Sequence, residues 1–338
     1  FLVFISLKGL GQSTPFEVVE EMGRGINLGN VLSAPIEGNW AFSVYEEYFD
    51  QVEIAVFTGD SEVGAAFSSL PFDHMLFTGG TSIAKHVMKA ASENLVPLTL
   101  ELGGKSPVII GKDSDVKGAA VRVMQGKTMN AGQICLAPDY ALVPKEKVTE
   151  FVEESVRAVS NMYPSLKDND DYTSIINEKH FNRIQDYLED AKDKGAEIVE
   201  INPSGEDFSQ QPHYKIPPTL VLNPSEDMKL MQEEIFGPVV SVIKFKDEAE
   251  ALEIANDTLY GLGAGVWTRN GNIAYRMGRA IQAGIVWTNC YHAYPAHSPF
   301  GGYKQSGVGR ETHKMMLNHY RQNKNLHVSY AEQKLGFF

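Results

Sequence analysis

The chain has 338 residues, 43% of them hydrophobic, which is ample for two domains or for one large α/β unit with its own core. A formal charge of −13 at pH 7 argues against a nucleic-acid partner, because phosphate binding needs a basic surface that no run of this chain supplies. Two cysteines, Cys135 and Cys290, could pair in principle, but such sparse usage points to a reducing compartment, with the cytoplasm as the default.

Phe1 to Leu7 are apolar but lack a basic leader and fall well short of the roughly 20 residues a spanning helix needs, so neither a signal nor a membrane span is expected. Residues 1–50, with Gly23 to Asn30 and Pro35 to Trp40, are rich in glycine, asparagine and aromatics and differ in character from the rest of the chain. A strand–helix rhythm then sets in. It predicts a strand over 52–57, a helix over 62–69, a strand over 74–78, a helix over 82–94, and strands over 96–101 and 107–110. Amphipathic helices are expected at 146–162 and 178–194, followed by a strand at 197–201 and a polar loop at 202–213. Strands at 219–222 and 239–244, helices at 248–256 and 272–281, and a strand at 284–289 continue the pattern. Residues 325–330 read as a final strand able to pair with another subunit. Alternation of this kind is the mark of an α/β protein with parallel strand pairing.

Cys135, in Gly132-Gln133-Ile134-Cys135, follows Glu101 of Leu100-Glu101-Leu102-Gly103-Gly104-Lys105 by 34 residues, both among small or apolar neighbours. A thiolate can attack a carbonyl carbon and a carboxylate can then activate water, so the pair suits covalent catalysis. Buried cysteines are also common structural residues, and the pair alone does not choose. Gly103-Gly104-Lys105-Ser106 resembles the end of a phosphate-binding loop, but Thr99 stands where that motif requires its first glycine, which argues against a nucleoside triphosphatase. Phe77-Thr78-Gly79-Gly80-Thr81 lies between a predicted strand and helix, where glycines let a ligand reach the helix N-terminus or simply make a tight turn. Glu233-Glu234-Ile235-Phe236-Gly237-Pro238 could accept ribose hydroxyls and lay a ring on a flat cofactor, or merely end a helix. The glycine-dense Phe300 to Glu311 fits a loop closing a site or a plain connection. His292 and His297 match no zinc spacing, and no metal is expected.

Taken in order, these motifs together with Trp287-Thr288-Asn289-Cys290 resemble the aldehyde dehydrogenase superfamily over residues 51–338. Up to about residue 210 the chain looks closer to coniferyl-aldehyde-type members and thereafter to acetaldehyde-type members, as a composite would. The resemblance implies an aldehyde-dehydrogenase-like α/β fold. Its parts would be an atypical segment at 1–50, a truncated Rossmann-type cofactor domain at 51–101, a catalytic domain at 102–311 and a C-terminal segment at 312–338 carrying an oligomerisation strand. It further implies NAD(P)-dependent oxidation of a small-molecule aldehyde to its acid, with NAD or NADP as cofactor, no nucleic-acid or membrane partner, and a homo-oligomer.

Carried over residue by residue, the resemblance makes Cys135 the nucleophile, forming a thiohemiacetal and then a thioester, and Glu101 the activator of the hydrolytic water. Gly79 and Gly80 would lie near the cofactor pyrophosphate and Leu102 beside the cofactor. Glu234 would hold the nicotinamide ribose, Phe236 would pack by that ribose and ring, and Asn289 would belong to the substrate-pocket wall. The family's earlier segment, with the asparagine that completes the oxyanion hole, has no counterpart here, and the resemblance therefore implies impaired turnover.

Gly23 to Asn30 and Glu37 to Trp40 resemble instead the opening strand and loop of glycoside hydrolase family 5 endoglucanases, over about residues 16–50. Cellulase activity is thus the alternative expectation, although that family's Asn-Glu-Pro acid/base motif is not found in the chain. A third expectation is an inactive fusion that folds and binds only.

Overall fold

The computed structural model describes residues 2–5, 54–328 and 330, with side chains from Phe57 onward. The segment likened to an endoglucanase, residues 16–50, lies outside the described residues. At the start, β1 (Leu2–Ile5) pairs antiparallel with β2 (Ile54–Phe57).

A small sheet with its helices comes first. Helix α1 (Ser61–Ser68) is capped by Asp60, whose carboxylate accepts the N–H groups of Glu62 and Val63. Strand β3 (Met75–Gly79) and strand β4 (Leu98–Leu102) run parallel, joined by helix α2 (Thr81–Ser92). Phe67, Phe72, Met75, Val87 and Leu100 form the core between helices and strands. A short strand far along the chain, Gly307–Val308, returns to complete this sheet antiparallel to β4, in the order Gly307–Val308, β4, β3.

The larger unit is a seven-stranded sheet. Its strands in chain order are β5 (Ser106–Ile110), β6 (Pro138–Pro144), β7 (Glu197–Glu200), β8 (Thr219–Leu222), β9 (Val239–Phe245), β10 (Gly263–Trp267) and β11 (Ile285–Thr288). In space they lie β11-β10-β5-β6-β9-β8-β7, and every pair is parallel except β7 with β8. Parallel sheets of this kind must be buried on both faces, and the sequence supplies two apolar layers. Val108 and Ile110 of β5 pack with Val116, Ala119 and Val123 of helix α3 (Val116–Thr128) and with Phe151 and Val159 of helix α4 (Val148–Met162). Ile109, between them on β5, points to the opposite face. There it meets Ala251 and Ala255 of the helix Glu248–Asn256 and Met277 of the helix Gly271–Ala280.

Most predicted elements stand within a residue or two of expectation, including Glu248–Asn256 and Thr219–Leu222. Helix α3 and strands β6 and β10 were not anticipated. Residues 321–328, which include most of the final strand expected at 325–330, carry no regular element within this single chain and are exposed. A strand exists only as one member of a hydrogen-bonded pair, and the partner expected for this segment is another subunit.

Candidate active site

Cys135 sits where α3 passes into β6. After Thr128 the backbone turns through three successive residues of positive φ, Asn130 at 50°, Ala131 at 51° and Gly132 at 73°. Glycine is required at the last of these, because a side chain there would run into the Gly237 carbonyl as well as strain the backbone. Gln133 locks the turn by donating to the carbonyls of Asn130 and Ser174, both at 3.0 Å, and accepting Ile176 N–H at 2.9 Å. The thiol that this turn presents is partly buried beside Leu136, Trp287, Tyr291 and Phe300. Burial pushes it up to about 12, and the charges of Glu234 and Glu101 push the same way, against the backbone N–H groups of Cys135 and Leu136.

The segment just after Glu101 lies directly against this turn. A methyl group on Gly104 would stand 2.8 Å from the Cys135 carbonyl oxygen, so the glycine is what lets the two chains meet. Glu101 itself, near the end of β4 and paired across to Gly307, is 5% exposed. Both of its carboxylate oxygens are buried without a hydrogen-bond partner among the described residues. Burial raises its pKa to about 8, the neighbouring Glu311 raises it further, and Arg310 opposes them. The structure therefore brings the two sequence-predicted catalytic residues within electrostatic reach of each other, in the cleft between the small sheet and the large one.

The residues expected at a cofactor border the same cleft. Gly79 ends β3, where it pairs with the buried Leu102, and Gly80 caps α2 with φ −72° and ψ 145°. A Cβ built on Gly80 would meet nothing within 4 Å, so this helix start is open to an approaching group. Glu234 reaches across to the turn after β4, accepting the Gly104 N–H at 3.0 Å and lying over Gly103. Its pKa is raised to about 8 by burial and by Asp139, against the Gly104 N–H and the charges of Lys127 and Arg183. Phe236, at φ 48°, follows on the same loop. An open glycine helix start and a carboxylate over the turn after β4 are group types that suit the pyrophosphate and ribose of a dinucleotide. Asn289 stands apart: it is exposed, and its amide donates to Thr268 O at 2.8 Å and accepts Thr268 N–H at 3.0 Å, bracing the ends of β10 and β11.

Three charged residues lie beneath this cleft; motif reading passed over two of them, Lys127 and Asp139, and met the third, Lys105, only as the end of a phosphate-loop-like run. Lys105, Lys127 and Asp139 are 3%, 0% and 2% exposed, and the two lysines flank the one carboxylate at 3.4 and 2.9 Å. Lys105 is thus a buried ion-pair partner rather than a phosphate lysine. The trace in the sequence is weak: Asp139 is the one charge in the otherwise apolar β6, whereas Lys127 shares α3 with Lys117 and Arg122. His292 is engaged within the chain: its Nε2 faces the Gly126 carbonyl at 3.3 Å and its Nδ1 the Tyr294 hydroxyl. Among the described residues no group of three or more His, Cys, Asp or Glu side chains is placed to hold a metal ion.

Comparison with known proteins gives the family. A model described as the aldehyde dehydrogenase family matches residues 43–326. The "Probable coniferyl aldehyde dehydrogenase" of Caulobacter vibrioides is 50% identical over 273 residues, covering 79% of this chain and 56% of that protein. The "Acetaldehyde dehydrogenase" of Pseudomonas aeruginosa is also 50% identical, over 272 residues, covering 78% of this chain and 53% of that protein. Among solved structures, betaine aldehyde dehydrogenase from Staphylococcus aureus in complex with NAD+ superposes with a TM-score of 0.72 at 36% identity, over 79% of this chain and 54% of that one. The chain spans about half the length of the curated relatives it matches. Nothing in these comparisons favours the glycoside hydrolase alternative.

Proposed function

The chain belongs to the aldehyde dehydrogenase family, and from that premise we propose that it oxidises an aldehyde to the carboxylic acid with NAD or NADP as hydride acceptor. The observation that carries the reading is the carboxylate of Glu101, buried and without a hydrogen-bond partner among the described residues, within electrostatic reach of the Cys135 thiol. Burying a carboxyl group with no partner costs stability, and a general base is a use that offsets it.

In this reading Cys135, once deprotonated, adds to the aldehyde carbon, and its own backbone N–H supplies one donor to the developing oxyanion. A bound nicotinamide ring supplies the hydride acceptor. Gly79 and Gly80 leave room for the pyrophosphate, Leu102 and Phe236 give the cofactor apolar surfaces, and Glu234 accepts hydroxyls of the ribose. Glu101 then takes a proton from the water that cleaves the thioester on Cys135, releasing the acid and restoring the thiol. Residues 51–101 serve as the cofactor portion and 102–311 as the catalytic portion, with Gly307–Val308 lent back to the first. The relatives' names point to coniferyl aldehyde or acetaldehyde as substrates to try first.

Two free thiols suit a reducing compartment such as the cytoplasm, and among the described residues no helix is long and apolar enough to cross a membrane. The exposed apolar residues Leu326, Val328 and Tyr330 suit assembly of copies through the C-terminal segment.

The test is reduction of NAD or NADP at 340 nm in the presence of aliphatic and aromatic aldehydes. Activity that disappears in Cys135→Ala, with the fold retained by circular dichroism, is the expected result. An unchanged rate in Cys135→Ala would remove the nucleophile from the reading.

A further inference from the structure

The buried lysines and aspartate occupy particular places relative to the reacting groups. Lys105 follows Glu101 by four residues, and Lys127 and Asp139 bracket the Cys135 turn at its two ends. Lys105 Nζ donates to Asp139 Oδ2 at 3.4 Å, to the Leu230 carbonyl at 2.7 Å and to the Glu233 carbonyl at 2.9 Å, which uses all three of its donors. Asp139 Oδ1 accepts Lys127 Nζ at 2.9 Å, and Oδ2 also accepts the Ile235 N–H at 3.0 Å. Every one of these polar atoms is therefore engaged.

The backbone groups they hold are those on either side of Glu234. Glu233 O is tied to Lys105, Ile235 N–H to Asp139, and Glu234 O to Arg183 Nη1 at 3.3 Å, while the Glu234 carboxylate rests on Gly104, next to Lys105. A loop with no regular structure is thus clamped from below by charged groups anchored in α3, in β6 and just ahead of β5, beside the Glu101 and Cys135 segments. Two lysines against one aspartate is a costly way to fill a core, since hydrophobic side chains would do so without desolvating charges. What the cluster adds is geometry.

We propose that Lys105, Asp139 and Lys127 are positioning residues that hold the Glu233–Phe236 segment in register with the Cys135 turn, and so preorganise the surface on which the nicotinamide end of the cofactor rests. The inference rests on the cofactor role given to Glu234 and Phe236 under the proposed function. Its mechanical half, the clamping of the segment, stands without that role.

Lys105→Met tests it in the 338-residue chain, because methionine is close in volume and leaves Lys127 and Asp139 as a neutral pair with no orphaned charge. Lys215→Met is the matched control. Lys215 is also buried, at 7% exposed, and its Nζ donates to the carbonyls of Leu166 and Asn169, away from the cleft. Hydrogen exchange is followed without cofactor, and NADH binding by its fluorescence.

In Lys105→Met, amide exchange at residues 229–238 rises by about tenfold or more while β8 and β9 stay protected, and NADH affinity falls by a similar factor. In Lys215→Met the thermal midpoint falls, with exchange at 229–238 and NADH affinity within about twofold of the wild type. The proposal is overturned if Lys105→Met leaves exchange at 229–238 unchanged, or raises it in parallel across the whole sheet as a general loss of stability would. Wild-type protein that binds no NADH would sink the cofactor reading alone, and the exchange measurement would still decide the clamp.

Discussion

Cys135 and Glu101 meet at neutral pH in their unreactive forms. The thiol ionises only near 12 and the carboxyl near 8, each held back first by burial, so the site as built keeps its nucleophile capped until something adds positive charge or removes a proton. Arrival of a cationic nicotinamide ring in the cleft is a change of the right sign. For Glu101 the sign is also clear: the base is the carboxylate, whose fraction grows as pH rises through about 8. Hydrolysis of the thioester is therefore expected to speed up with pH over that interval. Glu101→Gln has no carboxylate to form, and its single-turnover deacylation should stay slow and lose this rise, while hydride transfer in the same turnover remains visible as a burst of reduced cofactor. A deacylation profile unchanged in Glu101→Gln would take the base role from this residue.

At the scale of the element, the turn from β3 into α2 separates function from stability. Gly80 has φ −72° and ψ 145°, a conformation open to any L-residue, and the space beside it is empty, so Gly80→Ala breaks nothing in the fold. The substitution is expected to leave the thermal midpoint unchanged or to raise stability by about 0.4–1 kcal/mol through the unfolded chain. A methyl group at the open helix start should nonetheless weaken NAD binding, measured by calorimetry. Weaker binding without loss of stability would mark Gly80 as kept for a ligand; unchanged binding would return it to the role of a plain turn. Gly132 behaves oppositely, since its positive φ and the Gly237 carbonyl against it make any side chain destabilising.

At the scale of the whole molecule, the raised carboxyls make stability depend on pH in a predictable direction. Between an unfolded pKa near 4.5 and a folded value of about 8, the native state holds protons on Glu101 and Glu234 that the unfolded chain has released. Their contribution is thus fully present below pH 4.5 and lost as pH rises through 8. His74, buried and lowered to about 4 by burial and by His319, works the other way, costing stability as pH falls from 6.5 through 4. Removing one carboxyl isolates its share. Relative to wild type, Glu101→Gln should gain in thermal midpoint as pH is raised from about 5 to about 8.5; a difference that stays constant with pH would mean that Glu101 ionises normally.

Much of this was legible in the residues. Alternating apolar runs of a few residues and amphipathic stretches at helical spacing set out the α/β order, because a half-buried helix and a bounded strand print their burial on the sequence. The Cys135 and Glu101 segments were legible for a different reason, since reactive side chains among glycines form motifs that survive without knowledge of the fold. Elements buried on all sides left no such print. Strand β6 begins and ends with proline, and β10 reads Gly-Ala-Gly because a side chain at Gly265 would press on Trp267 and Tyr291; helix α3, which does keep a solvent face at Lys117, Val121, Arg122 and Gln125, has its pattern broken up by Gly118 and Gly126. Residues 325–330 carry strand-like alternation whose expected partner is another subunit. The sequence by itself determined the fold class and the family and nominated Cys135 and Glu101 as the reacting groups, all of which rest on local pattern. Only the tertiary structure decided that Lys105, Lys127 and Asp139 converge under the cleft, that Glu234 rests on Gly104, and that Glu101 is raised to about 8. These are consequences of burial and of contacts between distant segments, and no window along the chain contains them.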